Sequence, residues 1–250
     1  MKELGYKDIF DARGKSYNMA ARICPSARET ERQILIDLLA PAPGERIIDA
    51  PAGGGYVADA LQEAGCLPLC VEPSEAFASA LPDNYETIIA PVSCLPFEND
   101  SADKYGSLTG LHHLSSGELA QFFSEAWRVL KSGSVIAVAD VLAGSDVDRF
   151  LNGPVDRYTN TGHNGHFFNK GDFSRHLEAA GFRVGSEQYH EYIWSFPDEK
   201  VMTTYMKTIF GLDRADLDTV HTLVNDYLQV VSDSTGVHVK WGLLYASGVK

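Results

Sequence analysis

The sequence has no long apolar run, and no stretch of its 250 residues approaches the roughly 20 apolar residues that span a bilayer. Charged side chains interrupt residues 1–10, so this segment lacks the apolar core of a signal peptide. The four cysteines, Cys24, Cys66, Cys70 and Cys94, form no Cys-x-x-Cys pair. We therefore expect reduced thiols, no membrane partner and a cytoplasmic protein.

Basic residues are also scarce, because 21 lysines and arginines stand against 34 aspartates and glutamates, for a net charge of −13. This excess of negative charge repels phosphate backbones and argues against a nucleic-acid partner. Hydrophobic residues make up 44% of the chain, which is enough for a sizeable core. The composition predicts a globular protein and leaves its oligomeric state open.

Short apolar runs alternate with helical patterns, which predicts βαβ units, a mostly parallel sheet and the α/β class. The predicted strands are residues 46–50, 67–71, 87–90, 105–109, 134–140, 182–194 and 237–247. The predicted helices are residues 26–39, the stretch from the glycine loop to about 64, 117–130, 170–180 and 213–231. We expect one domain over residues 1–250, with a helical lid at 1–40. Insertions at 143–168 and 196–235 are expected to roof a pocket.

A glycine-rich loop follows the first predicted strand. That strand ends at Asp49, and Gly53, Gly54 and Gly55 precede the next helix. Glycines let the backbone press against a ligand, and the start of a helix adds amide donors. Glu72, at the end of the second predicted strand, is placed to accept hydrogen bonds from ribose hydroxyls. The pattern therefore predicts a nucleoside-containing cofactor.

Two nucleoside cofactors compete for this loop. Residues 53–58 satisfy the dinucleotide pattern Gly-x-Gly-x-x-Ala, which is a weak signal when it stands alone. Asp49 would repel a pyrophosphate, but it would attract the ammonium group of a methionine moiety. The position of Asp49 therefore favours S-adenosylmethionine over a nicotinamide dinucleotide. A tight turn that binds no ligand is a further interpretation.

Several segments resemble the class I, Rossmann-like S-adenosylmethionine-dependent methyltransferases, in particular the small-molecule group of methyltransferase type 11 and quinone-biosynthesis enzymes. The segments that carry the resemblance are residues 10–18, 47–55, 72–74, 90–97, 108–114, 127–133 and 168–182. The resemblance implies a Rossmann-like, mostly parallel seven-stranded sheet with helices on both faces and an added helical lid. The sequence departs from the family pattern at Pro51, where glycine is common, and at Pro91, where an aspartate usually binds adenine.

The loop and the resemblance together imply a set of residues that bind S-adenosylmethionine. The implied residues are Tyr17, Asp49, Ala50, Pro51, Ala52, Gly53, Gly55, Glu72, Pro73, Val92, Ser93, Thr109 and Gly110. Because Pro91 offers no carboxylate, adenine would rely on Val92 and Ser93.

Histidines supply the candidates for chemistry on the acceptor side. His112 and His113 follow the fourth predicted strand and are candidate catalytic bases, because histidine titrates near neutrality. Packing at the end of the strand is the alternative role for this pair. The candidate substrate-binding residues are Tyr158, His163, His166 and Trp194. The sequence shows no third ligand beside His163 and His166, so we expect no metal.

We thus expect S-adenosylmethionine-dependent methyl transfer to a small-molecule acceptor by in-line displacement. In such a reaction the cofactor supplies the activated methyl group, and the protein supplies position and electrostatics. One alternative is a non-catalytic binding module that retains the fold, which Pro51 and Pro91 motivate. A less favoured alternative is an NAD(P)-dependent oxidoreductase. The sequence does not indicate which acceptor atom is methylated.

Overall fold

Five parallel strands form the first part of a single sheet. Their bounds are β1 Arg46–Asp49, β2 Leu67–Val71, β3 Glu86–Ile88, β4 Ala102–Leu108 and β5 Leu130–Asp140. The computed structural model describes residues 4–163 and 165–250. The strands lie in the order β3-β2-β1-β4-β5, and neighbours run parallel. Ile47 and Ile48 of β1 are both fully buried and belong to cores on opposite faces, as expected for a parallel sheet that is covered on both sides.

Three further strands extend the sheet beyond β5. They are β6 Arg183–Phe196, β7 Val230–Asp233 and β8 Gly236–Val249. The strand β8 lies between β5 and β6 and runs antiparallel to both, and β7 pairs with β8 on a separate branch. The Rossmann-like, mostly parallel fold is thus confirmed. The sheet has eight strands, because β7 joins the seven that the sequence predicts.

Helices cover both faces of this sheet, as predicted. They are α1 Tyr6–Ile23, α2 Glu29–Leu39, α3 Tyr56–Glu63, α4 Glu75–Ala78, α5 Ser116–Val129, α6 Asp146–Phe150, α7 Asp156–Tyr158, α8 Asp172–Ala180, α9 Glu199–Phe210 and α10 Leu217–Tyr227. Leu35 of α2 and Leu61 of α3 belong to the core on one face, whereas Phe122 of α5 and Leu177 of α8 belong to the core on the other. None of the described helices combines the length and apolarity needed to cross a membrane.

The predicted helix over residues 213–231 is wrong at its end. The helix α10 stops at Tyr227, and Val231 lies in β7, where it is paired with His238 and 63% exposed. Val231 continues the helical spacing of Val220 and Val224, which are both fully buried. The pairing with β8 is a tertiary interaction, and it overrides this local pattern.

A buried carboxylate ties α2 to the last strands of the sheet. Glu31 is fully buried, and its Oε1 accepts a hydrogen bond from Nε of Arg28 at 3.0 Å. Its Oε2 accepts from the hydroxyl of Tyr192 and from Nε1 of Trp194, both at 3.1 Å. Tyr245 of β8 donates to the main-chain oxygen of Glu31 at 2.9 Å. These bonds hold α2 against β6 and β8.

We expect Glu31→Ala to lower the free energy of unfolding by about 3–5 kcal/mol, because the substitution leaves the buried Arg28 guanidinium without its counter-charge. Urea unfolding followed by circular dichroism measures this loss. The matched control is Glu29→Ala on the exposed side of the same helix, which should cost less than about 1 kcal/mol. Equal effects of the two substitutions would contradict the role given to Glu31.

Candidate active site

A cavity opens at the carboxyl ends of β1 and β4, beneath α1. It encloses about 930 Å³, part of it open to solvent. The predicted site residues on its wall are Tyr17, Asp49, Pro51, Ala52, Gly53, Thr109, Gly110, His112, His113, His163 and Trp194. The fold therefore brings candidate cofactor, catalytic and substrate residues to one space.

Other predicted site residues lie away from the wall. These residues are Ala50, Gly55, Glu72, Pro73, Val92, Ser93, Tyr158 and His166. Glu72 accepts a hydrogen bond from the amide of Gly53, which lies on the wall. Ala50 and Val92 are core residues behind the loop, and the side chain of His166 is exposed.

The glycine loop is packed so closely that side chains do not fit there. A Cβ atom at Gly54 would lie 2.0 Å from Oδ1 of Asn18, and one at Gly53 would lie 2.8 Å from the ring of Phe77. Gly53 and Gly55 also have positive φ angles of 55° and 95°, which favour glycine. Gly53 and Gly54 therefore keep bare backbone at the wall of the cavity, and Gly55 leads into α3.

Two buried carboxylates frame this loop. Asp49 ends β1, and its Oδ2 accepts a hydrogen bond from the Ala58 amide at 3.1 Å, which joins the strand to α3. Glu72 follows β2, and it accepts from the amides of Gly53 at 2.8 Å and Ser74 at 2.9 Å. Burial raises the pKa of Asp49 to about 8 and the pKa of Glu72 to about 7, although the hydrogen bonds oppose these shifts.

The hydroxyl of Tyr6 on α1 completes the surroundings of Glu72, to which it donates at 3.0 Å. Tyr6 lies against Phe10, with ring centroids 4.5 Å apart, and Phe10 stacks on Phe77 at 4.8 Å. The Tyr6 hydroxyl makes the same kind of bond to this carboxylate that a ribose hydroxyl would make. Glu72 and the side-chain-free loop therefore fit the adenosyl part of S-adenosylmethionine.

Three histidines lie on the acceptor side of the cavity. Thr109 and Gly110 have positive φ angles of 61° and 106°, and this bend leads into a short 3₁₀ turn, Leu111–His113. The turn brings His112 and His113 beside His163, with ring centroids 4.1 to 5.3 Å apart. Burial lowers the pKa of His113 and that of His163 well below the usual value, so both rings are neutral near pH 7.

Asp140, the last residue of β5, orients His112. Its Oδ1 lies 2.6 Å from Nδ1 of His112 and also accepts from the Val141 amide at 2.7 Å. Its Oδ2 accepts from the main-chain amide of His112 at 3.1 Å. Because the carboxylate faces Nδ1, that nitrogen is assigned the proton and Nε2 keeps its lone pair. A His–Asp pair of this kind can accept a proton from an acceptor group.

A buried cation and an aromatic group complete the wall. The side chain of Arg13 on α1 is buried, and its Nε has no hydrogen-bond partner within residues 4–163 and 165–250. Burial lowers the pKa of Arg13 to about 10, which still leaves it charged at neutral pH. The ring of Trp241 stacks on that of Trp194, with centroids 4.1 Å apart, and on that of Phe210, with centroids 5.7 Å apart. The wall therefore combines buried charged groups with stacked aromatic rings.

Sequence reasoning missed several residues that shape this cavity. Tyr6 and Phe77 lie outside the motifs, and Phe10 and Arg13 were not singled out within the segment 10–18. The roles of all four residues depend on the docking of α1 against α4. The sequence does indicate Asp140 as a candidate site residue, because it is an acid at the carboxyl end of a predicted strand. The same reasoning had singled out Asp49, which ends β1 in the same way.

Part of the chain is similar to a known protein family. Residues 48–138 match the family model described as a methyltransferase domain. This segment begins in β1, includes the glycine loop and Glu72, and ends within β5. A comparison with curated protein sequences gives no significant match.

Solved structures share the fold at low sequence identity. An S-adenosylmethionine-dependent methyltransferase of Thermotoga maritima is 18% identical, with a TM-score of 0.64 over 98% of this chain and 99% of the other. The phosphoethanolamine N-methyltransferase 2 of Haemonchus contortus, in complex with S-adenosylhomocysteine, is 15% identical with a TM-score of 0.62 over 99% of this chain and 60% of the other. The [4+2]-cyclase SpnF is 15% identical, with a TM-score of 0.63 over 99% and 97%.

Residues 48–138 are thus similar to a methyltransferase domain, and the chain has the fold seen in S-adenosylmethionine-dependent methyltransferases. S-adenosylmethionine is the cofactor that this domain and fold imply.

The buried Glu72 makes the stability of the ligand-free protein depend on pH. Its pKa is raised from 4.5 to about 7 in the folded state, so the folded state binds more protons than the unfolded state between these values. The free energy of unfolding should fall as pH rises through this window, by on the order of 3 kcal/mol from Glu72 alone. We expect Glu72→Gln to reduce this fall, whereas Asp49 continues to contribute. Urea unfolding at about pH 5 and about pH 7 measures both slopes, and identical slopes would contradict the assignment.

Proposed function

We propose that the protein transfers the methyl group of S-adenosylmethionine to a small-molecule acceptor by in-line displacement. The observation that carries the proposal is the buried Glu72 carboxylate, which the Gly53 amide holds beside a loop that admits no side chains. The bound cofactor would supply a methyl group activated by its sulfonium. The protein would then contribute alignment of the reacting atoms, an effect worth roughly 7–11 kcal/mol in favourable intramolecular reactions.

On the cofactor side, we assign Glu72 to the ribose hydroxyls and the loop with Asp49 to the methionine part. Three of the roughly four acceptor positions of the Glu72 carboxylate are filled, by Gly53, Ser74 and Tyr6. Two ribose hydroxyls need two positions, so the hydroxyl of Tyr6 has to give way when the cofactor binds. Pro73, Val92 and Ser93 are assigned to the ribose and adenine corner on resemblance.

On the acceptor side, we assign His112 as the proton acceptor and Asp140 as the group that orients it. The 2.6 Å contact between the two side chains and their burial support this assignment. The segments 1–40, 143–168 and 196–235 each contribute side chains to the wall, among them Arg13, Leu151 and Phe210. An enclosure built by three segments favours a small acceptor over a macromolecule.

Two other functions remain as candidates. A module that binds S-adenosylmethionine without transferring its methyl group is compatible with the fold. One structural neighbour, SpnF, is named as a [4+2]-cyclase and not as a methyltransferase. A nicotinamide-dependent oxidoreductase is less favoured, because a pyrophosphate would lie beside the Asp49 carboxyl, which repels it when ionised.

We expect Glu72→Ala to weaken S-adenosylhomocysteine binding at least about tenfold, because hydrogen bonds to charged groups contribute about 1.5–3 kcal/mol. Isothermal titration calorimetry measures the dissociation constants. The matched control is Glu75→Ala, an exposed acid on the neighbouring helix α4 whose loss should leave the constant within about twofold. A Glu72 effect below twofold, or tighter binding of NADH than of S-adenosylhomocysteine, would count against the proposed cofactor site.

Methyl transfer itself is tested with isotope-labelled S-adenosylmethionine and a metabolite extract freed of macromolecules. Wild-type protein should produce a labelled compound of low mass, and Glu72→Ala should produce much less of it, as detected by mass spectrometry. Binding of S-adenosylhomocysteine without any labelled product would instead support the non-catalytic module.

A further inference from the structure

The three histidines at the end of β4 converge on one point. One ring nitrogen from each of His112, His113 and His163 lies within 4.8 Å of the other two. His163 follows α7 and is far from His112 and His113 in the sequence. A search for metal ligands by their spacing along the chain would therefore not find this group. The sequence lacked a third ligand beside His163 and His166, and the fold supplies His112 and His113 as partners of His163.

The surroundings of the histidines orient their rings as metal ligands are oriented. Asp140 Oδ1 lies 2.6 Å from Nδ1 of His112, and Oδ1 of Asn152 lies 3.3 Å from Nδ1 of His163. Ligating histidines commonly donate their second ring nitrogen to a carboxylate or carbonyl oxygen in this manner, which leaves Nε2 for the metal. Two of the three histidines therefore already have outer partners.

Within residues 4–163 and 165–250, the third histidine has a polar ring atom without a hydrogen-bond partner. Nδ1 of His113 is buried and makes no hydrogen bond within the described part of the chain. A buried polar atom without a partner is uncommon and calls for an explanation such as an ion. The ring of His113 lies beside the rings of His112 and His163, with centroids 4.1 and 5.1 Å away.

We propose that His112, His113 and His163 bind a divalent transition-metal ion of the zinc type. Three histidines and one open position form a known catalytic arrangement for Zn²⁺, with Zn–N distances of about 2.0–2.1 Å. Tetrahedral ligands at that distance are about 3.3 Å apart, so nitrogens now within 4.8 Å of one another need to move by roughly 1.5 Å or less.

The open position faces the cavity, because all three histidines are part of its wall. The Arg13 guanidinium lies on the same wall, and its charge would oppose a bare cation. We therefore expect the fourth ligand to be an anion, either hydroxide or an ionised oxygen of the acceptor. The ion would then act as a Lewis acid that favours the ionised form of the acceptor. Because Nε2 of His112 would be a metal ligand, the ion would take over the proton-accepting role assigned to His112 above.

Cobalt provides a direct test, because tetrahedral Co²⁺ absorbs visible light far more strongly than octahedral Co²⁺. Full-length protein freed of metal by a chelator is titrated with CoCl₂, and ZnCl₂ is then added. We expect one equivalent of Co²⁺ to produce an intense visible spectrum that Zn²⁺ abolishes. A weak octahedral spectrum, or no saturation near one equivalent, would overturn the proposal.

Variants locate the ion. His163→Ala should weaken Zn²⁺ binding by at least about 100-fold, and Asp140→Asn by roughly 10–100-fold, the usual cost of losing an outer partner. The control His221→Ala removes an exposed imidazole from α10 and should leave affinity within about twofold. Equal Zn²⁺ affinity in His163→Ala and wild type would overturn the proposal.

The proposed metal site and the proposed cofactor site can be rejected independently of each other. S-adenosylhomocysteine titrations on the same metal-free wild type and variants report the cofactor site, and circular dichroism reports folding. Retained S-adenosylhomocysteine binding without Zn²⁺ binding rejects the metal site alone. If His163→Ala does not fold, the Co²⁺ spectrum of wild type and the His163→Gln variant decide the question.

Discussion

The hydrogen bonds of the buried Glu72 carboxylate hold the cofactor side of the cavity together. They join three separate pieces of chain: the glycine loop through Gly53, the turn into α4 through Ser74, and α1 through Tyr6. A buried carboxylate is costly unless such donors surround it. The positions of the loop, of α4 and of α1 therefore depend on one another through this group.

Much of the fold could be predicted because its strands obey local rules. Ile47 and Ile48 are consecutive apolar residues, as a strand buried on both faces requires, and the predicted strand at 67–71 coincides with β2. The prediction failed at Val231. Its spacing from Val220 and Val224 is helical, but the pairing of β7 with β8 places it in a strand. The start of β5 at Leu130 was missed for the same reason, since Leu130 pairs with Ala102 of β4.

The candidate site could be predicted only in part. Asp49 ends β1, Gly53 lies in the loop that follows it, and Glu72 directly follows β2. Because the carboxyl ends of parallel strands meet at one edge, the proximity of these residues follows from the sequence once the strands are assigned. The meeting of His163 with His112 and His113 depends on the path of an irregular segment, and no periodicity encodes such a path. Tyr6 was missed because its partner Glu72 lies 66 residues away along the chain.

The bond between Tyr6 and Glu72 has an energetic consequence for affinity. If Glu72 binds the ribose as proposed, α1 and the ribose would compete for the same carboxylate, and the chain would carry an intramolecular competitor for its own ligand. The measured affinity would then equal the intrinsic affinity multiplied by the fraction of molecules in which Tyr6 is displaced. Residues on the outer face of α1 could tune cofactor saturation in this way without touching the cofactor.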